Sequence, residues 1–345
     1  MKIIIASTIW PFAEGGGTLI VDWLEQKLKE YGHQVDVVKI PFFSNYKEML
    51  KQITALRLYH LEDVCDRLIC VRMPSYLIQH SDKYLWFIHH YREVYDLWKT
   101  EWGLTPKDND MLAIREYIIR SDNVAFSEAK KIYTNSKIVS KRLMKFNNVD
   151  SEPLYPPLLS PEQFYCDGYG DYIYYSSRIA ATKRQLLAVQ AMKHVKTDVK
   201  LVITGKSEDP YYMEKIRKYL KKHSLDDKVK IHNEWINEDL KVNYFARCLA
   251  ALYIPFDEDS YGYSSLEAHH SRKAVITCED SGGTDELIND GENGFILKPD
   301  PEIIAEHFDR LYLDKQAAEK MGSRGLERIN ELDINWDNVI RSFTQ

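Results

Sequence analysis

The run Pro255-Phe256-Asp257-Glu258-Asp259-Ser260-Tyr261-Gly262-Tyr263-Ser264-Ser265-Leu266-Glu267-Ala268 changes character halfway along. Residues 249–254 before it are continuously apolar, as in a strand buried on both faces, and Gly262 precedes a helical pattern carried by Leu266, His269 and His270. A strand, loop and helix in that order bring free backbone N–H groups and acidic side chains to one spot. The first N–H groups of such a helix, here near Tyr263, Ser264 and Ser265, bind phosphate or sugar oxygens with the help of the helix dipole. An acid one turn in, Glu267, can accept from a ribose diol. The stretch therefore predicts a nucleotide-sugar pocket on an α/β scaffold.

Two further runs follow: Ser281-Gly282-Gly283-Thr284-Asp285-Glu286 and Asp290-Gly291-Glu292-Asn293-Gly294. Asp259 and Glu267 have seven residues between them, which resembles the E-x7-E motif of the large retaining glycosyltransferase family of the GT-B fold, the glycosyl transferases group 1. The Gly-Gly run is similar to the Gly-Gly-x-x-E segment that follows that motif. Two departures stand out: the first acid is Asp, and Ser260 lets Glu258 compete for its place. The resemblance implies two facing Rossmann-like doubly wound domains, a nucleotide-sugar substrate, UDP- or GDP-linked, and no cofactor.

Working outward, 345 residues with 44% hydrophobic content suffice for two cores. A net charge of −6 argues against nucleic acid as a partner. The five cysteines are scattered and form no C-x-x-C pair, which disfavours a zinc site or a disulfide framework and suits a reducing cytoplasm. The opening apolar run at 3–6 is too short for a membrane span and lacks a cleavage pattern. A cytoplasmic protein, free or at the inner face of the cell membrane, is the expectation.

From the start of the chain, residues 3–8 read as a buried strand, then a loop with Gly15-Gly16-Gly17, a helix over about 19–31, and a second strand over 34–40. This is a βαβ opening with a glycine-rich first turn, though not G-x-G-x-x-G. Gly16 and Gly17 are read as letting the backbone approach a ligand; in the resembled family this loop lies beside the donor phosphate and the acceptor. Further strands are expected at 67–71, 84–88 and 131–134. His89 and His90 fall where the strand at 84–88 ends, the position at which open α/β sheets bind ligands. The resemblance places one catalytic-site histidine there, against the donor sugar, and leaves open which of the two it is. Residues 92–98 look helix-like and adjacent to an acceptor site.

A helix over about 111–130 leads to a basic face of Lys130, Lys131, Lys137, Lys141, Arg142 and Lys145. Among relatives that glycosylate lipid-linked acceptors, such a face over 130–145 would be a seat for anionic lipid. The proline-rich stretch 154–161 reads as a linker. The expected boundaries are 1–155 for an acceptor-side domain, 156–330 for a nucleotide-sugar-binding domain, and 331–345 for a helix that crosses back to the first.

The second half restarts the α/β alternation at 172–175. Arg178 and Lys183, five apart after that strand, suit a diphosphate through forked donors and a point charge, and are similar to the family's R-x4-K pair. Lys206 and Trp235 are expected to border the nucleobase. The Asp-x-Asp tripeptides, Asp108-Asn109-Asp110 and Asp257-Glu258-Asp259, lack the context of a metal motif, so no metal is expected. The resemblance thus implies a retaining, metal-independent glycosyltransferase acting on a glycan, lipid-linked or small-molecule acceptor. His89 or His90 and Asp259 or Glu258 would be its catalytic groups. A nucleotide-sugar 2-epimerase of the same fold and a non-catalytic sugar-nucleotide-binding subunit are the alternatives.

Overall fold

The structure, a computed structural model, describes residues 1–9, 16–43, 45–100, 103, 109–207 and 209–345. The apolar runs become parallel strands in two compact units, Met1–Pro156 with Asn335–Gln345, and Pro157–Ile334. In the first unit, β1 (Lys2–Ile9), β2 (Gln34–Pro41), β3 (Arg67–Cys70), β4 (Lys83–Phe87), β5 (Lys131–Thr134) and β6 (Glu152–Pro153) pair in the order 2-1-3-4-5-6. Every pairing is parallel. The sheet packs on both faces: Ile4, Ala6, Leu68 and Cys70 enter one core, and Ile3, Ile5, Ile69 and Trp86 the other. Such double burial is why these strands read as unbroken apolar runs.

The helix Gly16–Glu30 covers the second of those faces with Ile20, Val21, Leu24 and Leu28, a stripe at helical spacing. It shares that face with the last helix, Trp336–Thr344, which is capped by the Asn335 side chain accepting from Asn338 N–H. Trp336, Val339, Ile340 and Phe343 are its buried face. Trp86 lies edge-on to Trp336 at 6.5 Å and 5.5 Å from the Phe343 ring, while its indole N–H donates to the Leu154 carbonyl at 2.9 Å.

In the second unit, β7 (Tyr172–Ser176), β8 (Lys200–Thr204), β9 (Val229–His232), β10 (Ala250–Leu252), β11 (Val275–Cys278) and β12 (Gly294–Leu297) line up as 12-11-10-7-8-9, again all parallel. The order reverses between β7 and β10. Loops at the carboxyl ends of strands on either side of such a switch point form a ligand crevice. Both units are doubly wound Rossmann-like sheets, as the sequence predicts.

Three local expectations differ. Residues 92–98 are a succession of turns rather than a helix, with Val94 N–H donating to Tyr91 O and Tyr95 N–H to Arg92 O. The turns allow Tyr91, Val94 and Tyr95 all to enter the core. Only Ala250–Leu252 of the apolar stretch 249–254 joins the ladder. Finally, β11 and β12 add two strands that the alternation did not mark.

Phe343 is fully buried between Trp86, Tyr84 and Tyr133. Phe343→Ala should therefore cost about 3–5 kcal/mol, the usual range for a buried aromatic truncated to alanine. Denaturant unfolding followed by tryptophan fluorescence measures it; a loss below about 1 kcal/mol would mean that the last helix contributes little to the first unit.

Candidate functional site

The second unit concentrates the expected residues at its switch point. The loop after β7 runs through Arg178 to the single turn Ala181–Lys183, and the loop after β10 carries Pro255 to Gly262 before the helix Tyr263–His270. Lys183 joins the two. Its Nζ donates to the Tyr253 hydroxyl at 3.0 Å and forms an ion pair with Glu258 Oε2. Burial pulls the pKa of this ammonium down, but the Tyr253 and Glu258 oxygens outweigh it and hold the group above the usual lysine value. Arg178 stands exposed on the same loop and acts electrostatically on the Tyr253 phenol. Asp259 is half-buried next to Glu258. The structure thus brings Lys183 and Glu258 together around Tyr253, a residue that sequence reading missed.

Arg184 locks these loops in place. With a left-handed backbone at φ 56°, its guanidinium forks onto both Asp280 oxygens at 2.8 Å and donates to the Ile254 and Pro255 carbonyls at 2.7 and 2.6 Å. It also reaches Ser281 Oγ at 3.2 Å. One planar fork fastens the end of β10 to the loop after β11, a geometry a lysine cannot reproduce.

The Gly-Gly pair has a packing reason. Glu258 N–H donates to Ser281 O at 3.1 Å, and Gly283 N–H donates to Glu258 O at 2.8 Å. A Cβ on Gly282, at φ 69°, would fall 2.2 Å from the Glu258 carbonyl oxygen, and one on Gly283 would meet Ser260 Cα at 3.0 Å. The two loops lie against each other as closely as backbone allows. Gly262 does the same for the helix entry: at φ 73° its missing Cβ makes room for the Tyr253 ring.

At the start of the helix Tyr263–His270, no side chain caps the backbone. The hydroxyls of Ser264 and Ser265 are buried there with no hydrogen-bond partner among the described residues. One turn in, Glu267 is 7% exposed and its Oε1 accepts from Lys241 Nζ at 2.6 Å. Burial raises the pKa of this carboxyl, and Lys241 opposes the rise. Lys241 comes from the helix Glu238–Arg247, and no sequence signal marked it. Beyond β8 and β9, Lys206 and Trp235 are exposed, and Ser207 N–H donates to Asn233 Oδ1 at 2.8 Å, tying their loops.

In the first unit, the two histidines after β4 part company. His90 is 1% exposed and wedged between the Phe87 and Tyr95 rings at 4.9 and 4.3 Å. Its Nε2 meets Asn147 Oδ1 at 2.8 Å, and burial lowers its pKa to about 4. Around it, Asp122 accepts from the Tyr76 and Tyr95 hydroxyls at 3.0 and 2.7 Å, and burial raises that carboxyl to about 7. His89 is half-buried, and its Nδ1–H donates to the His90 carbonyl at 2.7 Å, which assigns the lone pair to Nε2. His90 is a core residue by these contacts; His89 keeps a nitrogen available.

Gly15 lies outside the described residues. Gly16 and Gly17 open the first helix, and a Cβ on Gly17 would stand 3.3 Å from Arg72 Nε and 3.4 Å from the Ile88 side chain. Arg72, after β3, is a half-buried cation whose pKa burial lowers; sequence reading passed over it. Of the basic face, Lys130 pairs with Asp82, Lys131 with Glu152 and Arg142 with Asp96. Among the described residues, no cluster of three His, Cys, Asp or Glu side chains could hold a metal ion, and no helix is long and apolar enough to cross a membrane. Asp108 lies outside the described residues, and Asp110 is exposed in a helix's first turn.

Two Rossmann-like units, the second with its loops converging at a switch point, define the GT-B class of fold. Sucrose-phosphate synthase from Thermosynechococcus elongatus superposes with a TM-score of 0.75 at 17% identity, over 98% of this chain and 96% of that one. Anabaena HepE, solved in complex with UDP, does so with a TM-score of 0.69 at 13% identity, over the whole of both chains. Residues 167–328 match the model of the family described as glycosyl transferases group 1. The lipopolysaccharide 1,2-N-acetylglucosaminetransferase of Salmonella typhimurium is 29% identical over 186 residues, 50% of this chain and 46% of that protein. The alpha-1,3/1,6-mannosyltransferase ALG2 of Dictyostelium discoideum is 29% identical over 128 residues, 37% and 30%. The matches thus span less than half the length of these two relatives.

The close approach at Gly282 can be separated from backbone strain. Gly291 has a similar φ of 76° but open space around it. Gly291→Ala should cost only about 1 kcal/mol for the left-handed backbone, and Gly282→Ala clearly more, with strain and clash together reaching or passing about 3 kcal/mol. Equal losses in thermal unfolding would show that the contact with Glu258 is not tight.

Proposed function

We propose that the chain is a glycosyltransferase that moves a sugar from a nucleotide-sugar donor, UDP- or GDP-linked, to a glycan, lipid-linked or small-molecule acceptor. The observation that carries the reading is the convergence of Lys183, Glu258 and the uncapped helix start at Ser264-Ser265 on the switch point of a group 1 glycosyl transferase domain. Cations and free N–H groups suit a diphosphate, and the Glu267 carboxylate suits the ribose. HepE's complex with UDP supports the nucleotide assignment.

In this reading the reaction retains anomeric configuration, on the strength of the acid motif, and needs no metal. Arg178, Lys183 and the N–H groups of the helix start take up the charge that grows on the leaving diphosphate, and Ser264 and Ser265 add hydroxyl donors. As the glycosidic bond breaks, the sugar gains oxocarbenium character. In the second unit an acid from the loop after β10 orients the sugar hydroxyls; in the first unit His89, with Nε2 available, is the candidate for the family's catalytic-site histidine. Gly16 and Gly17 are the positions of the first unit at which the backbone would let a ligand approach closely. Lys137, Lys141 and Lys145 stand one turn apart in sequence on the helix Lys137–Asn147 and are the cations of the basic face that would contact anionic lipid.

Turnover of UDP- and GDP-sugars by the isolated chain, after a thermal-shift panel has chosen the donor, tests the activity; a bound donor at about 100 times its dissociation constant adds roughly 2.7 kcal/mol of stability. Conversion of donor alone would favour an epimerase, and binding without turnover a non-catalytic subunit. Arg178→Ala and Lys183→Ala should lower kcat more than they raise the donor KM, because diphosphate charge develops in the transition state. Unchanged kcat in both would leave them as binding residues only.

The acid is assigned by single-turnover transfer with Glu258→Gln and Asp259→Asn. A loss on the order of 100-fold is expected for the acid that touches the sugar. Near-normal rates in both variants would remove the role from this loop.

A further inference from the structure

Glu267 is the most enclosed acid near the helix start in the second unit, and its two oxygens are not equivalent. Oε1 is held by Lys241 Nζ at 2.6 Å, and Lys241 is anchored in turn to Glu238 Oε1 at 2.9 Å, one turn earlier on its own helix. The side chains of Glu267 and Lys241 are 9% and 21% exposed, whereas Glu238 is half-exposed. Oε2 has no hydrogen-bond partner among the described residues. A buried carboxylate with one oxygen tied to a cation and the other open is an acceptor whose direction is set before any ligand arrives.

We propose that Lys241 is a positioning residue of the nucleotide site: by pinning Oε1 of Glu267 it fixes the charge and direction of that carboxylate and leaves Oε2 to the ribose hydroxyls. The inference rests on the nucleotide reading given above. A buried charge is costly unless paired, and removing one partner of a buried pair exposes the other to that full cost. For Glu267 the sign is determined by its neighbours. Burial and the Glu238 charge both push the carboxyl toward its protonated form, and Lys241 alone among the named influences opposes them. On its own helix, the Tyr263 phenol faces Glu267, and on β7 the Tyr174 phenol does; both have their pKa raised above the ordinary tyrosine value, first by burial and then by the carboxylate. They are neutral near pH 7 and supply no cation. The other elements packed on this helix direct their groups elsewhere: Gly325 of the helix Lys315–Glu331 lies against the His269 ring, and Glu162 acts on His270.

The pair also explains a conflict in the sequence. Glu267 sits amid Ser265, Leu266, Ala268 and His269, all buried, where an unpaired acid would become neutral and lose most of its strength as an acceptor for two hydroxyls. Lys241 is 26 residues away in the chain, on a helix whose other charged positions face solvent.

The test is calorimetric titration of UDP and of GDP into the full chain and its variants between about pH 6 and pH 8.5. Lys241→Met should weaken binding of the nucleotide that the wild type prefers by about tenfold near pH 6.5, the scale of one charge-assisted hydrogen bond. That loss should shrink as the pH rises and the carboxyl ionises again. Lys241→Arg, which keeps the charge, should restore the wild-type profile. Adding Lys241→Met to Glu267→Gln should produce no further loss, because the two residues act as one unit. Wild-type affinity and pH profile in Lys241→Met would overturn the inference, as would a loss that is independent of pH and persists undiminished in the Glu267→Gln background. Lys241→Gln gives the same comparison where the methionine variant does not fold. If the wild-type chain binds neither UDP nor GDP, the nucleotide reading itself falls and takes this proposal with it; a wild type that binds beside an unaffected Lys241→Met variant overturns this inference alone.

Discussion

Lys183 holds an ammonium, 12% exposed, between the Tyr253 phenol and the Glu258 carboxylate, and that contact joins the two loops at which the second sheet reverses its order. Neither loop has regular structure of its own beyond a single turn. Their geometry is imposed by the Arg184 fork beneath them and by the Gly282 backbone pressed against Glu258. An enclosed lysine with its charge intact is a strong centre for an anion. In the free protein Glu258 is that anion, and an incoming diphosphate would have to share or displace it. Any anion bound at Lys183 would therefore be coupled to the freedom of the Glu258 side chain by a single ion pair.

Much of this was legible in the sequence because its signals are local. Unbroken apolar runs gave the parallel strands, Gly262 gave the strand-to-helix turn, and the Gly-Gly pair stood out by its resemblance to a family segment, while the close approach to the acid loop that it permits appears only in the structure. What stayed hidden depends on tertiary pairing. The pairing of Lys241 with Glu267 carries no spacing signal, Tyr253 reads as one more apolar residue of a strand, and Arg184 reads as one more cation beside Lys183. The strands β11 and β12 were missed for a related reason: each has four residues, and Val275-Ile276-Thr277-Cys278 comes just after Arg272-Lys273-Ala274 and ends on polar or weakly apolar residues. Burial on both faces of a sheet makes such a segment a strand, and burial is not a local property.

The histidines after β4 show the same limit at the scale of one residue. His89 and His90 follow β4 beyond its last paired residue, and their side chains have different surroundings. His90 turns inward and joins Tyr95, Asn147 and the Asp122 carboxyl in a buried polar group inside an aromatic cage. In doing so its backbone carbonyl becomes the acceptor that sets the His89 tautomer. The buried histidine thus contributes to the half-buried one through the main chain, and the sequence could name the pair without ordering it.

The acid loop raises a question of reach. Asp259 stands at the motif's spacing from Glu267, yet its carboxyl is one methylene shorter than the glutamate the motif calls for. Glu258 has the length but stands one residue earlier. The close contact with Gly282 bears on this, because it fixes the Glu258 backbone on both sides: its N–H is committed to Ser281 O and its carbonyl to Gly283 N–H. A residue held in this way has little freedom except in its side chain, and that side chain is directed at Lys183. Asp259, the next residue, is half-buried beside it. The longer acid is anchored by backbone and paired with the site's enclosed cation, while the shorter acid takes the motif's register. The anchoring of the longer acid follows from the close approach of two loops, and that approach is possible because position 282 carries no side chain.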